Sequence, residues 1–113
     1  MARVEVRRHI AADPASVALL LAEPMGEDAG RDGVTVALPR RGGVGFIASI
    51  EVEDIDGRVS HGTVSVKPSS DPGTDLVVSV AAPEGPAARS VERAARLFLS
   101  RLAVRARSRS FAA

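Results

Sequence analysis

Arg8 is the charged residue whose spacing invites chemistry first. It shares the parity of Val4, Val6 and Ile10 in an alternating stretch from Arg3 to Ile10, while Arg3, Glu5, Arg7 and His9 fall on the other side. A guanidinium aimed at an apolar interior is costly without a partner. Arg8 therefore either receives the carboxylate of a ligand or bends its head to solvent and packs only its stem. Arg105 poses a similar choice near the C-terminus, where it continues the apolar side of a helix and either gates a pocket mouth or marks an overhanging helix end.

The remaining reactive side chains do not assemble into a known device. His61 falls opposite Glu51 on the outer face of a hairpin, His9 also points outward, and nothing sets either beside a serine as a nucleophile–base pair. No GxSxG elbow occurs, which argues against a serine hydrolase. Glu51, Glu53, Asp54 and Asp56 make an acidic hairpin end without EF-hand spacing, so a solvated turn is expected and no metal. Arg40-Arg41-Gly42-Gly43-Val44-Gly45 has the look of a phosphate cradle, but a strand follows where a cradle needs a helix, and the stretch reads as a hairpin turn.

Composition narrows the field further. The chain has 113 residues and lacks Cys, Trp, Tyr, Asn and Gln, which removes disulfides, thiolate chemistry, side-chain amide recognition and phenolic acid catalysis. One domain spanning residues 1–113 is expected. No run of about 18 apolar residues is present, so no membrane span is expected, and the alternating N-terminus lacks an apolar signal core. We read the protein as cytoplasmic, and no cofactor is implied. Charge is uneven: Arg89, Arg93, Arg96, Arg101, Arg105, Arg107 and Arg109 against Glu92 give the last helix +6. That polarity could steer an anion, but a solvated helix face accounts for it as well. Phe46, Phe98 and Phe111 are the only aromatic residues, too few for base stacking, and no nucleic-acid partner is expected.

The elements that would position these residues follow from period and punctuation. Val4, Val6 and Ile10 define a first strand. Asp13-Pro14 then caps a short helix from Ala15 to Glu23, stopped by Pro24. A polar connection runs from Glu23 to Gly33, and Val34, Val36 and Leu38 alternate again. Val44 to Glu53 reads as a long strand. A three-residue loop Ile55-Asp56-Gly57 pairs Asp54 with Arg58, Val52 with Ser60, Ile50 with Gly62, Ala48 with Val64 and Phe46 with Val66. The two-residue turn Asp56-Gly57 would mix the faces. After a loop from Lys67 to Asp75, Leu76, Val78 and Val80 face inward on a last strand ended by Pro83. Pro86 to Ser110, opened by Gly85, is one helix of about 25 residues and roughly 37 Å. With Phe98 set at zero on a wheel of about 100° per residue, Ala87, Val91, Ala94, Ala95, Leu102 and, more laterally, Leu99 fall on its apolar side. Arg89, Arg93, Arg96, Ser100 and Arg107 lie opposite.

The opening "VEVRRHIAADPASVALLL" from Val4 to Leu21, the antiparallel meander and the closing amphipathic helix together resemble the START-like, or SRPBCC, superfamily, which includes Bet v 1 allergens and polyketide cyclases. The resemblance implies an α+β helix-grip fold, in which a curved antiparallel sheet clasps the C-terminal helix around an apolar cavity. It also implies binding of hydrophobic small molecules or lipids. The chain departs in having about five strands where the family has seven, and one short helix after the first strand where the family has a pair.

A cavity also has support from the residues themselves. Ala48, Ser60 and Gly62 are small positions on an apolar inner face, opposite a stripe holding Ala94 and Ala95, which means either close approach or empty space. The expected lining is Val6, Phe46, Ala48, Ile50, Ser60 and Gly62, with Val64, Val78, Val91, Ala95, Phe98 and the polar candidate Arg8. The leading expectation is a non-catalytic domain for an apolar or amphipathic ligand. A cyclase or aromatase would need convergent polar groups, for which only Arg8 with Ser60 or Ser79 is available. A self-associating module, such as a homodimer paired across an exposed sheet edge, is the third reading.

Overall fold

A computed structural model describes residues 1–23 and 33–112, with side chains through residue 108. Pro24 and most of the connection expected over Glu23 to Gly33 lie outside the described residues, as do the side chains of Arg109 and Phe111. The fold is α+β: β1 (Ala2–Ile10), α1 (Pro14–Ala22), β2 (Val34–Val36), β3 (Arg40–Gly42), β4 (Gly45–Glu53), β5 (Val59–Pro68), β6 (Thr74–Ala82) and α2 (Pro86–Ala112). The antiparallel sheet runs β1-β6-β5-β4-β2, with β3 pairing β4 beyond the end of β2.

Alternation dictates which face is covered. Val4, Val6 and Ile10 of β1 are buried, as are Ala48, Ile50 and Val52 of β4, Val64 and Val66 of β5 and Leu76, Val78, Val80 and Ala82 of β6. These side chains form one core with Val17, Leu20 and Leu21 of α1 and the apolar side of α2. α1 packs on β4 and β5, and α2 packs on β1, β6, β4 and β2. The intervening residues Glu5, Arg7, Ser49, Glu51, His61 and Thr63 are exposed on the opposite face.

The β4–β5 hairpin has the register that apolar parity demands: Phe46 pairs with Val66, Ala48 with Val64, Ile50 with Gly62 and Val52 with Ser60. Its loop is Ile55-Asp56-Gly57, with Gly57 at φ +80° and the Asp54 N–H donating to the Arg58 carbonyl at 2.8 Å. Asp54 departs from a solvated turn. It is buried, and its Oδ1 accepts the N–H groups of Asp56 at 2.8 Å and Arg58 at 3.0 Å, so its carboxylate closes the loop from within. Glu51, Glu53 and Asp56 stay exposed.

A short strand stands where a turn was expected. Arg40–Gly42 pairs with β4, Arg41 opposite Phe46 and Gly42 opposite Gly45, so the turn itself is only Gly43-Val44. Arg41 lies over the Phe46 ring at 5.8 Å from its centroid and shields it from water. β2 correspondingly stops at Val36, and Leu38, expected to continue the alternation, is exposed.

Helix starts follow the residues that mark them. Asp13 caps α1, accepting from the Ser16 N–H at 3.2 Å and the Ser16 hydroxyl at 2.6 Å, and Pro14 takes the first turn. The link between β1 and α1 is tied down by Thr74, fully buried, whose hydroxyl donates to the Ala12 carbonyl at 2.6 Å. On α2, Ala87, Val91, Ala95, Phe98, Leu99 and Leu102 are buried, and so are Ala103 and Ala106. Burying Phe98 and Leu102 contributes about 1.5–3 kcal/mol each. Arg89, Arg93, Arg96 and Arg107 are exposed.

Candidate functional site

The expected lining residues fall into three groups. Val6, Ala48, Ile50, Val64 and Val78 from the sheet meet Val91, Ala95 and Phe98 from α2 in the single apolar core, with Phe46 packed against its edge. Ser60 is buried at the far end of β5, opposite Val52. Gly62 is half-buried, and Arg8 is exposed.

Gly62 has a cause other than open space. A Cβ at this position would run into the Ser79 carbonyl oxygen and stand 2.8 Å from Val80 Cα, so the glycine is required by the neighbouring backbone of β6. The small-residue argument for a central cavity therefore loses one of its members, while Ala48 and Ala95 are both core side chains.

The polar pair that a cyclase reading needs does not converge. Arg8 pairs with Leu76, and Leu76 with Val66. Ser60 lies six residues before Val66 on β5, roughly 20 Å along the strand. Ser79 is on the outer face, where its hydroxyl accepts from Arg3 Nη1 at 3.1 Å.

At the end of the molecule where β1 finishes and α2 approaches its last turns there is a cleft of about 380 Å³, bordered by Arg8, His9, Ile10, Ala103, Ala106 and Arg107 among others. Its floor is the edge of the core itself, since Ile10, Ala103 and Ala106 are 4%, 8% and 3% exposed. Arg8 comes to the rim because β1 parity puts it on the inner side just before Ile10, and there it takes the solvent-facing course open to a residue near a strand end. Arg107 comes from α2. Helical side chains lean toward the N-terminus, so Arg107 sits over the turn that holds Ala103. Neither guanidinium has a hydrogen-bond or ion-pair partner among the described residues. The His9 ring is engaged: its Nδ1 is 3.1 Å from Asp75 Oδ1. Arg107 was assigned to the solvated helix face from the wheel, and Ala103 and Ala106 were outside the expected stripe.

Other charged groups have structural work. Arg105 Nη2 donates to Glu23 Oε2 at 3.2 Å, joining α2 to the end of α1, both side chains being about one-third exposed at 26% and 37%. This bridge takes the place of the gate proposed for Arg105. His61 Nδ1 is 3.6 Å from Glu51 Oε1 on the outer face, an exposed pair worth under about 1 kcal/mol. Among the described residues no cluster of His, Asp and Glu could hold a metal ion, and no helix is long and apolar enough to cross a membrane.

Comparison with protein-family models, with curated proteins and with solved structures found no match in any of the three.

Proposed function

We propose that this chain is a small-molecule-binding domain of START-like type, taking an apolar or amphipathic ligand and performing no reaction on it. The observation that carries the reading is the cleft between β1 and α2, which reaches down to the nearly buried core side chains Ile10, Ala103 and Ala106. The architecture supports it: a helix after the first strand, a long closing helix across the inner face, and β1 paired with the last strand at one side of the sheet. About 380 Å³ lies at the low end of small-molecule sites. A cyclase or aromatase is disfavoured by the separation of Arg8 from Ser60.

Native mass spectrometry of the purified protein tests the reading. A bound species of a few hundred daltons, released by organic solvent, is the expected result. A bare chain that also fails to bind a panel of apolar fluorophores would overturn it. A second reading has one observation behind it: β1 has a single strand neighbour and presents its other edge unpaired, so two copies could join there. Light scattering separates the two, because a strictly monomeric solution state removes self-association and leaves ligand binding untouched.

A further inference from the structure

We infer that the ligand's polar end is an anion, held at the rim of the β1–α2 cleft between the guanidinium groups of Arg8 and Arg107 while its apolar part lies on Ile10, Ala103 and Ala106. The inference rests on the binding reading above and assigns the chemical class of ligand to that same site.

Charge accounting across the molecule points this way. Arg7 is paired with Glu5, Arg96 with Glu92 and Arg105 with Glu23 in this structure. Arg8 and Arg107 have no such partner among the described residues, come from distant parts of the chain, and border one depression whose described lining contains no carboxylate. The nearest acid in the adjoining groove, Asp75, is engaged by His9. Two cations that border one cleft repel, and an anion between them relieves that repulsion while occupying their donors.

The chemistry of the two heads narrows the ligand further. Guanidinium groups present planar forks that match the two oxygens of a carboxylate or the oxygens of a phosphate ester, and they tolerate an apolar surrounding better than an ammonium does. The side chains of Ile10, Ala103 and Ala106 beneath them are hydrocarbon. Ala103 and Ala106 are three residues apart on one side of α2, and their small side chains make the notch beside Ile10. A head group alone would leave that surface wet, and a neutral apolar molecule would leave both arginines unused. A medium-chain amphiphile with one anionic head satisfies both parts.

Isothermal titration of the full chain with decanoate, decyl phosphate and decanol, each below its micelle concentration, tests the assignment. Decanoate or decyl phosphate is expected to bind at least about tenfold more tightly than decanol, and their order distinguishes a carboxylate ligand from a phosphate ester. Arg8→Gln and Arg107→Gln are each expected to weaken the anion about tenfold while leaving decanol unchanged, and Arg89→Gln, at the other end of α2, to have no effect. Affinity of the unaltered chain for the anion should fall as salt rises, a readout independent of any variant. Amide shifts on binding should centre on Ile10, Ala103 and Ala106. Equal affinity for decanol and both anions, indifference to both glutamine variants, or shifts centred elsewhere would each overturn the assignment. If decanol binds in the cleft as tightly as the anions, only the anionic head fails. If no probe binds and no small molecule co-purifies, the binding reading fails with it.

Discussion

Thr74 donates its hydroxyl to the carbonyl of Ala12 at 2.6 Å, with no part of the threonine exposed. The bond fastens the start of β6 to the link between β1 and α1, and thereby fixes where β1 ends and the cleft begins. Thr74→Val keeps the shape but leaves the Ala12 carbonyl without its donor, and is expected to cost about 1–3 kcal/mol in urea unfolding, with Thr74→Ser recovering most of it. A valine variant as stable as the original would show that water serves the carbonyl equally well.

Gly62 is held by its neighbour's backbone. Gly62→Ala forces a methyl group against the Ser79 carbonyl, so β5 and β6 must part, and a loss above about 2 kcal/mol is expected. Ala48→Gly, on the facing strand, should cost about 1 kcal/mol from lost burial and added chain freedom. A tolerated alanine at position 62 would mean that the two strands separate there at little cost.

The Asp13 cap makes stability depend on pH. The Ser16 hydroxyl first, and then its N–H, hold the Asp13 carboxyl below the usual carboxylate value. Its contribution is therefore complete above the unfolded pKa and fades as pH falls through the lowered folded value. Asp13→Ala is expected to cost about 0.5–1 kcal/mol at neutral pH, the low end of cap effects because the site is exposed. The difference from the parent chain should shrink in acid, as denaturation midpoints between pH 7 and pH 2 will show.

Asp54 governs the β4–β5 loop. Removing its carboxylate with Asp54→Ala takes away the acceptor of two N–H groups in a buried setting, with an expected cost of about 1–3 kcal/mol. The same variant should raise amide exchange at Asp56 and Arg58 well before the rest of the hairpin. Uniform exchange across the loop would contradict the assignment.

Much of this fold was legible in the chain because apolar parity leaves few options. The β4–β5 register followed from matching faces: the shorter turn would have set Ile50 beside Thr63, and the sheet has no way to bury both parities. β3 was not legible, since Arg-Arg-Gly carries no alternation and becomes a strand only by pairing with β4. The stripe of α2 was found but centred too far toward Phe98. Its buried arc, reaching past Leu99 to Ala103 and Ala106, is centred roughly 30° further round, because α2 packs on α1 as well as on the sheet. Arg8 could be singled out by parity alone. Its companion Arg107 could not, because it borders the apolar side only once that side is known to extend to Ala103, one turn back and about 40° away on the wheel. Gly62 was misleading for a related reason, as the wall it meets belongs to a strand that its own hairpin does not include.

The two walls of the cleft come from segments far apart in the chain. Arg8 and Ile10 leave the ribosome before Ala103, Ala106 and Arg107, which follow about 5–20 s later at ordinary synthesis rates. A nascent chain can form its β4–β5 hairpin long before then, yet it has no cleft until α2 has closed over β1. The cleft is therefore a late product of synthesis, absent until residue 107 has been added.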